Sequence, residues 1–230
     1  MTGFWRRLRF FGIGFGLGLV FVFFFFKNRG CTWLPENRVK NTILGRVLIV
    51  NEDQESIFKQ KGITRKDLVQ FLNDGDVNFG ESNKQSNPQV YSVSKTIRNK
   101  EITLWFTLPK DAFISEVRWP KGSIQQAKNS QEGVGKMIYF PAVKNMIFID
   151  DNADLTADLN RLKINDAQRM MKLMKSSGEI NFEQSHLKAA PYPEHFISFQ
   201  TKSGEAVYSK TIWKEEHIQF FHIQKSDSMH

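Results

Sequence analysis

The sequence predicts an α+β protein in which an N-terminal transmembrane helix precedes two tandem small domains. Each domain is read as one helix packed on a three- or four-stranded antiparallel sheet. Three observations carry that expectation. Residues 10–26 read FFGIGFGLGLVFVFFFF, without a charge, amide or hydroxyl. The chain after residue 46 repeats one pattern of segments about a hundred residues apart. Within each copy an amphipathic helical stripe ends at a glycine and is followed by short β-rich runs.

The apolar run comes first in the chain. At about 1.5 Å rise per residue it reaches roughly 25 Å, the short end of a bilayer span. A cleaved signal peptide would need small residues after the run, where the chain has Lys27-Asn28-Arg29-Gly30-Cys31. Gly30-Cys31 resembles a lipidation site, but Arg29 and Asn28 stand where small and aliphatic residues belong. The expectation is therefore a retained single span from Phe10 to Phe26, in contact with membrane lipid. Gly14 and Gly18 form a small-xxx-small pair that would let two such helices approach. Arg6, Arg7 and Arg9 flank one side and Lys27 and Arg29 the other, so the nearest flanks place the N-terminus in the cytoplasm. The expected location is the plasma (inner) membrane of a bacterium, single-pass, with the domains outside.

Charge and cysteine content narrow the partners. Residues 1–46 carry eight Lys or Arg against one acid, Glu36, so +7 of the net +8 lies there. The remaining +1 is no footprint for a phosphate backbone, and nucleic acid is not expected as a partner. Cys31 is the only cysteine, which excludes an intramolecular disulfide and a thiolate metal cluster.

The repeat organises the rest. Val47 to Val50, an acidic stretch, Ile63 to Asp67 and a helical stripe (Leu68, Val69, Phe71, Leu72) lead to Gly75-Asp76-Val77-Asn78-Phe79-Gly80-Glu81-Ser82. Met146 to Ile149, a second acidic stretch, Ile164 to Gln168 and the stripe Met170, Met171, Leu173, Met174 lead to Gly178-Glu179-Ile180-Asn181-Phe182-Glu183-Gln184-Ser185. Thr64 with Asp67, and Asn165 with Gln168, read as helix N-caps with a polar group at N3. Gly75 and Gly178 read as left-handed residues just past the helices. Both copies continue through a proline (Pro88, Pro193) into strands rich in aromatics. The boundaries are 1–9 for a basic flank, 10–26 for the span, 27–46 for a juxtamembrane connector and 47–119 for the first repeat. A linker follows at 120–136, the second repeat at 137–223 and a tail at 224–230.

This layout of helix, glycine, Gly-x-aliphatic-Asn-aromatic-x-x-Ser and antiparallel strands resembles bacterial domain-of-unknown-function family 4258. The Gly-Phe-Gly-rich run is similar to its membrane-anchored variety. The resemblance is best over residues 10–119, with residues 137–223 as a diverged copy. It implies a fold and no established activity. Some relatives of that layout are toxin-type ribonucleases, an analogy of fold and not of function.

No motif carries chemistry. Asn78 with Ser82 and Asn181 with Ser185 recur at equal spacing, either as ligand-reading groups or as side chains bonding local backbone. Asp150-Asp151-Asn152-Ala153-Asp154 begins like a calcium loop, but Leu155 replaces the required glycine and Arg161 the closing glutamate, so the acids read instead as favouring the first turn of a helix from about Asp154. His195, His217 and His222 lie in strand-like runs without zinc-ligand spacing. No catalytic, cofactor-binding or metal residue is assigned. Consecutive aromatics such as Trp105-Phe106 and Phe220-Phe221 must face opposite sides of a sheet, leaving apolar surface for the sister domain or a partner protein, and the two sheets pairing edge to edge is equally compatible. The expected function is a tethered module binding a protein or envelope component, or a second copy, without catalysis. The alternative is a tethered hydrolase or degenerate nuclease. A binding module should show an apolar face without a concave polar cluster; an enzyme should show a pocket gathering Arg, Lys, His or carboxylates.

Overall fold

The computed structural model describes residues 2–28, 34–110, 112–141, 147–149, 152–164, 166–189, 191–214 and 217–225. It divides into two units, residues 1–39 and residues 40–230.

The first unit holds helix α1 (Thr2–Asn28) and the start of α2 (Pro35–Leu44). Among the described residues no helix is long and apolar enough to cross a membrane. This overturns the transmembrane helix, the single-pass topology and the inner-membrane location expected from the sequence. The physical reason lies in the length and dilution of the run. The uncharged run of residues 10–26 amounts to about 25 Å against a hydrocarbon core of roughly 30 Å. Arg7 and Arg9 occupy the preceding turn, and Gly12, Gly14, Gly16 and Gly18 add no side chain. Phe10 is exposed, and a Cβ on Gly14 or Gly18 would meet nothing within 4 Å. The side chain of Phe26, and Cys31, lie outside the described residues.

The second unit is built on one mixed sheet, not on two separate domains. The first series is β1 (Val47–Asn51), α3 (Glu52–Gln60), α4 (Arg65–Asp74), β2 (Asp76–Asn83), β3 (Gln89–Ile97), β4 (Lys100–Leu108) and β5 (Ile114–Arg118). Strand β6 (Val134–Tyr139) follows. The second series is β7 (Ile147–Ile149), α5 (Ala153–Arg161), α6 (Ala167–Ser177), β8 (Glu179–His186), β9 (Glu194–Gln200), β10 (Ala206–Lys214) and β11 (His217–Lys225). The described strands form an eleven-stranded sheet in the order β2-β3-β4-β5-β1-β6-β8-β9-β10-β11-β7. In each series the first strand lies parallel beside the last, β1 on β5 and β7 on β11. Each series has two helices on its sheet where the domain reading gave one: the acidic stretch at 52–60 is helical, and α5 is the helix read to begin at about Asp154. The expected connector at 27–46 contains the whole of α2, and the expected linker at 120–136 contains the start of β6.

Two tandem domains fail as a description because β6 pairs antiparallel with both β1 and β8, fusing the sheets. Following the pairings along the sheet, β7 runs opposite to β1. The second series is thus turned over relative to the first. Alternation along β1 shows the result. Val47 and Ile49 join Met137, Leu155, Leu159, Met170 and Met174 in the core beneath α5 and α6. Val50 instead faces Phe58 and Leu68, from α3 and α4. With helices on both faces, all five positions of β1 are buried.

The two series repeat their local devices. Asn51 and Asn152 cap α3 and α5, each accepting from the N–H two residues on, at 3.1 and 2.9 Å. Gly62 at φ +68° and Lys163 at φ +56° end these helices in the left-handed region. Thr64 closes a capping box on Asp67 at the start of α4, as expected. At α6 the cap is Asp166, accepting from Arg169 N–H at 2.6 Å, one residue beyond the expected Asn165, which lies outside the described residues. Gly75 and Gly178 are not left-handed; their φ values are −81° and −68°. They are glycine because the chain passes too close to the helix. A Cβ on Gly75 would stand 2.5 Å from the Phe71 carbonyl, and one on Gly178 would collide with the Met174 carbonyl and stand 2.7 Å from Met137 Sδ.

Candidate functional site

Each series leaves one sheet face without helices, and the two faces differ. That of the first series is closed by the segment after β5. Glu116, buried on that face, accepts from Ser130 N–H at 2.7 Å and Ser130 Oγ at 2.9 Å. Burial drives the Glu116 carboxyl above its usual range, against Arg118 and the Ser130 bonds. In the second series Glu179, Phe196, Ser198, Tyr208 and Lys210 stay half-buried on the corresponding face. Phe196 stacks on Tyr208 with centroids 5.9 Å apart.

Where this face meets α3 and α4, the surface sinks into a groove of two adjoining cavities, about 340 and 230 Å³. Arg65 and Lys136 line both. The first cavity has an apolar floor of Val50, Phe58, Ile63, Leu68 and Ile138. The second runs toward Glu179, Ser198 and Tyr208.

Local structure explains the placement of the charges. Pairing Lys136 with Val50 on β1 turns Lys136 toward the α3/α4 face. There its ammonium donates to Glu55 Oε2 at 2.6 Å. Glu55 also meets Lys59 one helical turn on, at 3.4 Å, and Arg65 at 3.8 Å. Burial raises the Glu55 carboxyl, but the bond and charge of Lys136, then of Lys59, outweigh it and hold the group below its usual range. Arg65 opens α4 beside the Thr64 cap and is half exposed.

The polar pairs singled out from the sequence do not enter the groove as a constellation. Ser82 Oγ donates to the Asn78 carbonyl at 2.7 Å and accepts from Ser92 N–H at 3.0 Å. Ser185 Oγ donates to the Asn181 carbonyl at 2.5 Å and accepts from Phe196 N–H at 2.8 Å. In both series the pairing register shifts between that asparagine and the residue after the serine. The serine therefore bridges a bulge, satisfying backbone groups that the ladder cannot. Asn78 Nδ2 further donates to Ser94 Oγ, and Asn181 Oδ1 accepts from Gln184 N–H.

The remaining candidates are dispersed. Asp150 and Asp151 lie outside the described residues, and Asn152 and Asp154 serve the α5 cap. Among the described residues no three His, Cys, Asp or Glu side chains stand together as metal ligands. His195 is fully buried and stacks on Trp213 with centroids 4.3 Å apart, while His217 and His222 are exposed. Phe106 is buried and approaches Phe71 of α4, while its neighbour Trp105 is only half-buried.

Glu55, Arg65 and Lys136 carry no sequence motif. The Glu55-Lys59 spacing is a helical signal, but the stretch reads as merely acidic, and Lys136 reads as linker. No family model, curated protein or solved structure matches this chain.

Proposed function

We propose that this chain binds a protein partner, without catalysis, through the groove between α3, α4 and β6 and the sheet face beside it. The observation that carries the reading is the apolar floor beneath a rim of paired charges. Such a surface desolvates an apolar anchor and orients it with polar contacts. The groups in the first cavity are poorly disposed for reaction. Glu55 is surrounded by cations and held ionised, which suits neither a general acid nor a base poised near neutrality. Thr64, the hydroxyl on the rim, is committed to Asp67 at 2.7 Å.

One observation favours a second reading, a hydrolase or degenerate nuclease. Arg65, Lys136, Glu179 and Tyr208 surround one cavity, the kind of gathering expected of an enzyme. The two readings separate in a single design. A photo-crosslinking residue replaces Lys59 on the rim or, as a control, the exposed Lys84 between β2 and β3, which lines neither cavity, and the full chain is irradiated in intact cells. Binding predicts a discrete protein joined from position 59 and not from 84. No adduct from 59, with turnover of RNA or peptide that Arg65→Ala abolishes, would establish the second reading instead.

A further inference from the structure

The charges of the groove are unequal, and their imbalance defines an occupant. Lys59, Arg65 and Lys136 face a single carboxylate, Glu55, around the first cavity, an excess of two positive charges. The cations are not equally engaged. Lys136 is committed to Glu55 at 2.6 Å and its side chain is 27% exposed. Arg65 stands 3.8 Å from the same carboxylate, is 50% exposed, and is the first residue of α4, where the helix dipole also favours an anion. It lies on the wall common to both cavities, directly beside the apolar floor.

We infer that the groove takes a protein segment carrying a carboxylate next to a large aliphatic or aromatic side chain. The inference rests on the protein-binding reading above and adds the chemistry of the partner. The carboxylate meets the Arg65 guanidinium, whose planar fork can hold both oxygens. The neighbouring side chain enters the cavity of about 340 Å³ over Phe58 and Leu68. That volume corresponds to roughly ten waters, at about 30 Å³ each, whose release favours an apolar occupant. The chain beyond it follows the second cavity toward Ser198 and Tyr208. A basic segment would place its charge against Arg65 and Lys136, so the same geometry rejects it.

The test uses the full chain and short fluorescein-labelled peptides in three forms, Glu beside Leu, Lys beside Leu, and Glu beside Ser, read by fluorescence anisotropy. The Glu-Leu form should bind at least tenfold more tightly than the other two. Arg65→Glu should lose at least tenfold for Glu-Leu and gain affinity for Lys-Leu. A glutamate is well placed in the first turn of a helix, so this variant should fold, and Arg65→Ala should give the loss without the gain. Equal binding of Glu-Leu and Lys-Leu, or indifference to Arg65→Glu, would overturn the inference. The crosslinking experiment separates this failure from that of the parent reading. A protein joined from position 59 through a segment without an acid beside a large apolar residue refutes only the partner chemistry, whereas no protein joined there refutes both.

Discussion

Lys136 on β6 and Glu55 on α3 stand 2.6 Å apart across 81 residues of chain, tying the strand that joins the two series to a helix of the first. Both side chains are mostly buried, so the pair is partly shielded from water. Glu55→Gln should cost about 1–3 kcal/mol in urea unfolding, since it strands a desolvated ammonium. The folded-state carboxyl titrates below its ordinary value of 4.5, so its contribution is complete above that pH. It should fade as pH falls through the lower folded value, and the gap between wild type and Glu55→Gln should close there.

Ser82 and Ser185 each hold a bulge by bonding one carbonyl and one N–H. Ser→Ala at either position should destabilise by about 1–2 kcal/mol, because two backbone groups lose their partner. Amide exchange should accelerate at Ser92 in Ser82→Ala and at Phe196 in Ser185→Ala, and not the reverse. Equal protection in variant and wild type would contradict the bridging role.

Gly75 and Gly178 are fixed by close approach and not by left-handed backbone. Alanine at either site drives a methyl into a helix carbonyl, so each should lose more than about 2 kcal/mol by thermal or urea unfolding. Gly80 is the internal comparison, with open space where its Cβ would stand. Gly80→Ala should be neutral or slightly stabilising.

His195 gives stability a dependence on acid. Burial lowers its pKa from 6.5 to about 3, offset in part by the Pro193 backbone. The folded state therefore binds fewer protons than the unfolded chain between those values. Its contribution is complete above pH 6.5 and declines toward pH 3, by up to about 1.4 kcal/mol per pH unit. Glu116, whose pKa is raised, acts oppositely above its ordinary value of 4.5. The clean measurement is the difference in unfolding free energy between wild type and His195→Leu across pH. It should widen in favour of the variant as pH falls below 6.5.

The parts of this fold legible in the sequence are those set by local physics. The Thr64-Asp67 capping box and the amphipathic stripe of Leu68, Phe71 and Leu72 determine α4 without help from elsewhere. What could not be read was decided by pairing at long range. Nothing local says that Lys136 adds a strand beside Val50, or that this strand fuses both series into one sheet. Helix α3 was obscured because its residues are mostly polar or charged and Phe58 is its buried residue, whereas α5 begins near Asp154, where the acids pointed to a helix start, and buries Leu155 and Leu159. The groove depends on all of these, so Glu55, Arg65 and Lys136 look like ordinary surface charges until the chain is folded. The Phe10–Phe26 run shows the opposite error, where an apolar composition was taken for sufficient length.

Hydrogen–deuterium exchange on the full chain, alone and with the protein crosslinked from position 59 supplied as purified partner, tests the binding surface most directly. New protection should concentrate in residues 55–68 and 134–139 and reach 196–210. Protection confined to the edge strands β2 and β7, with the groove unchanged, would contradict the account.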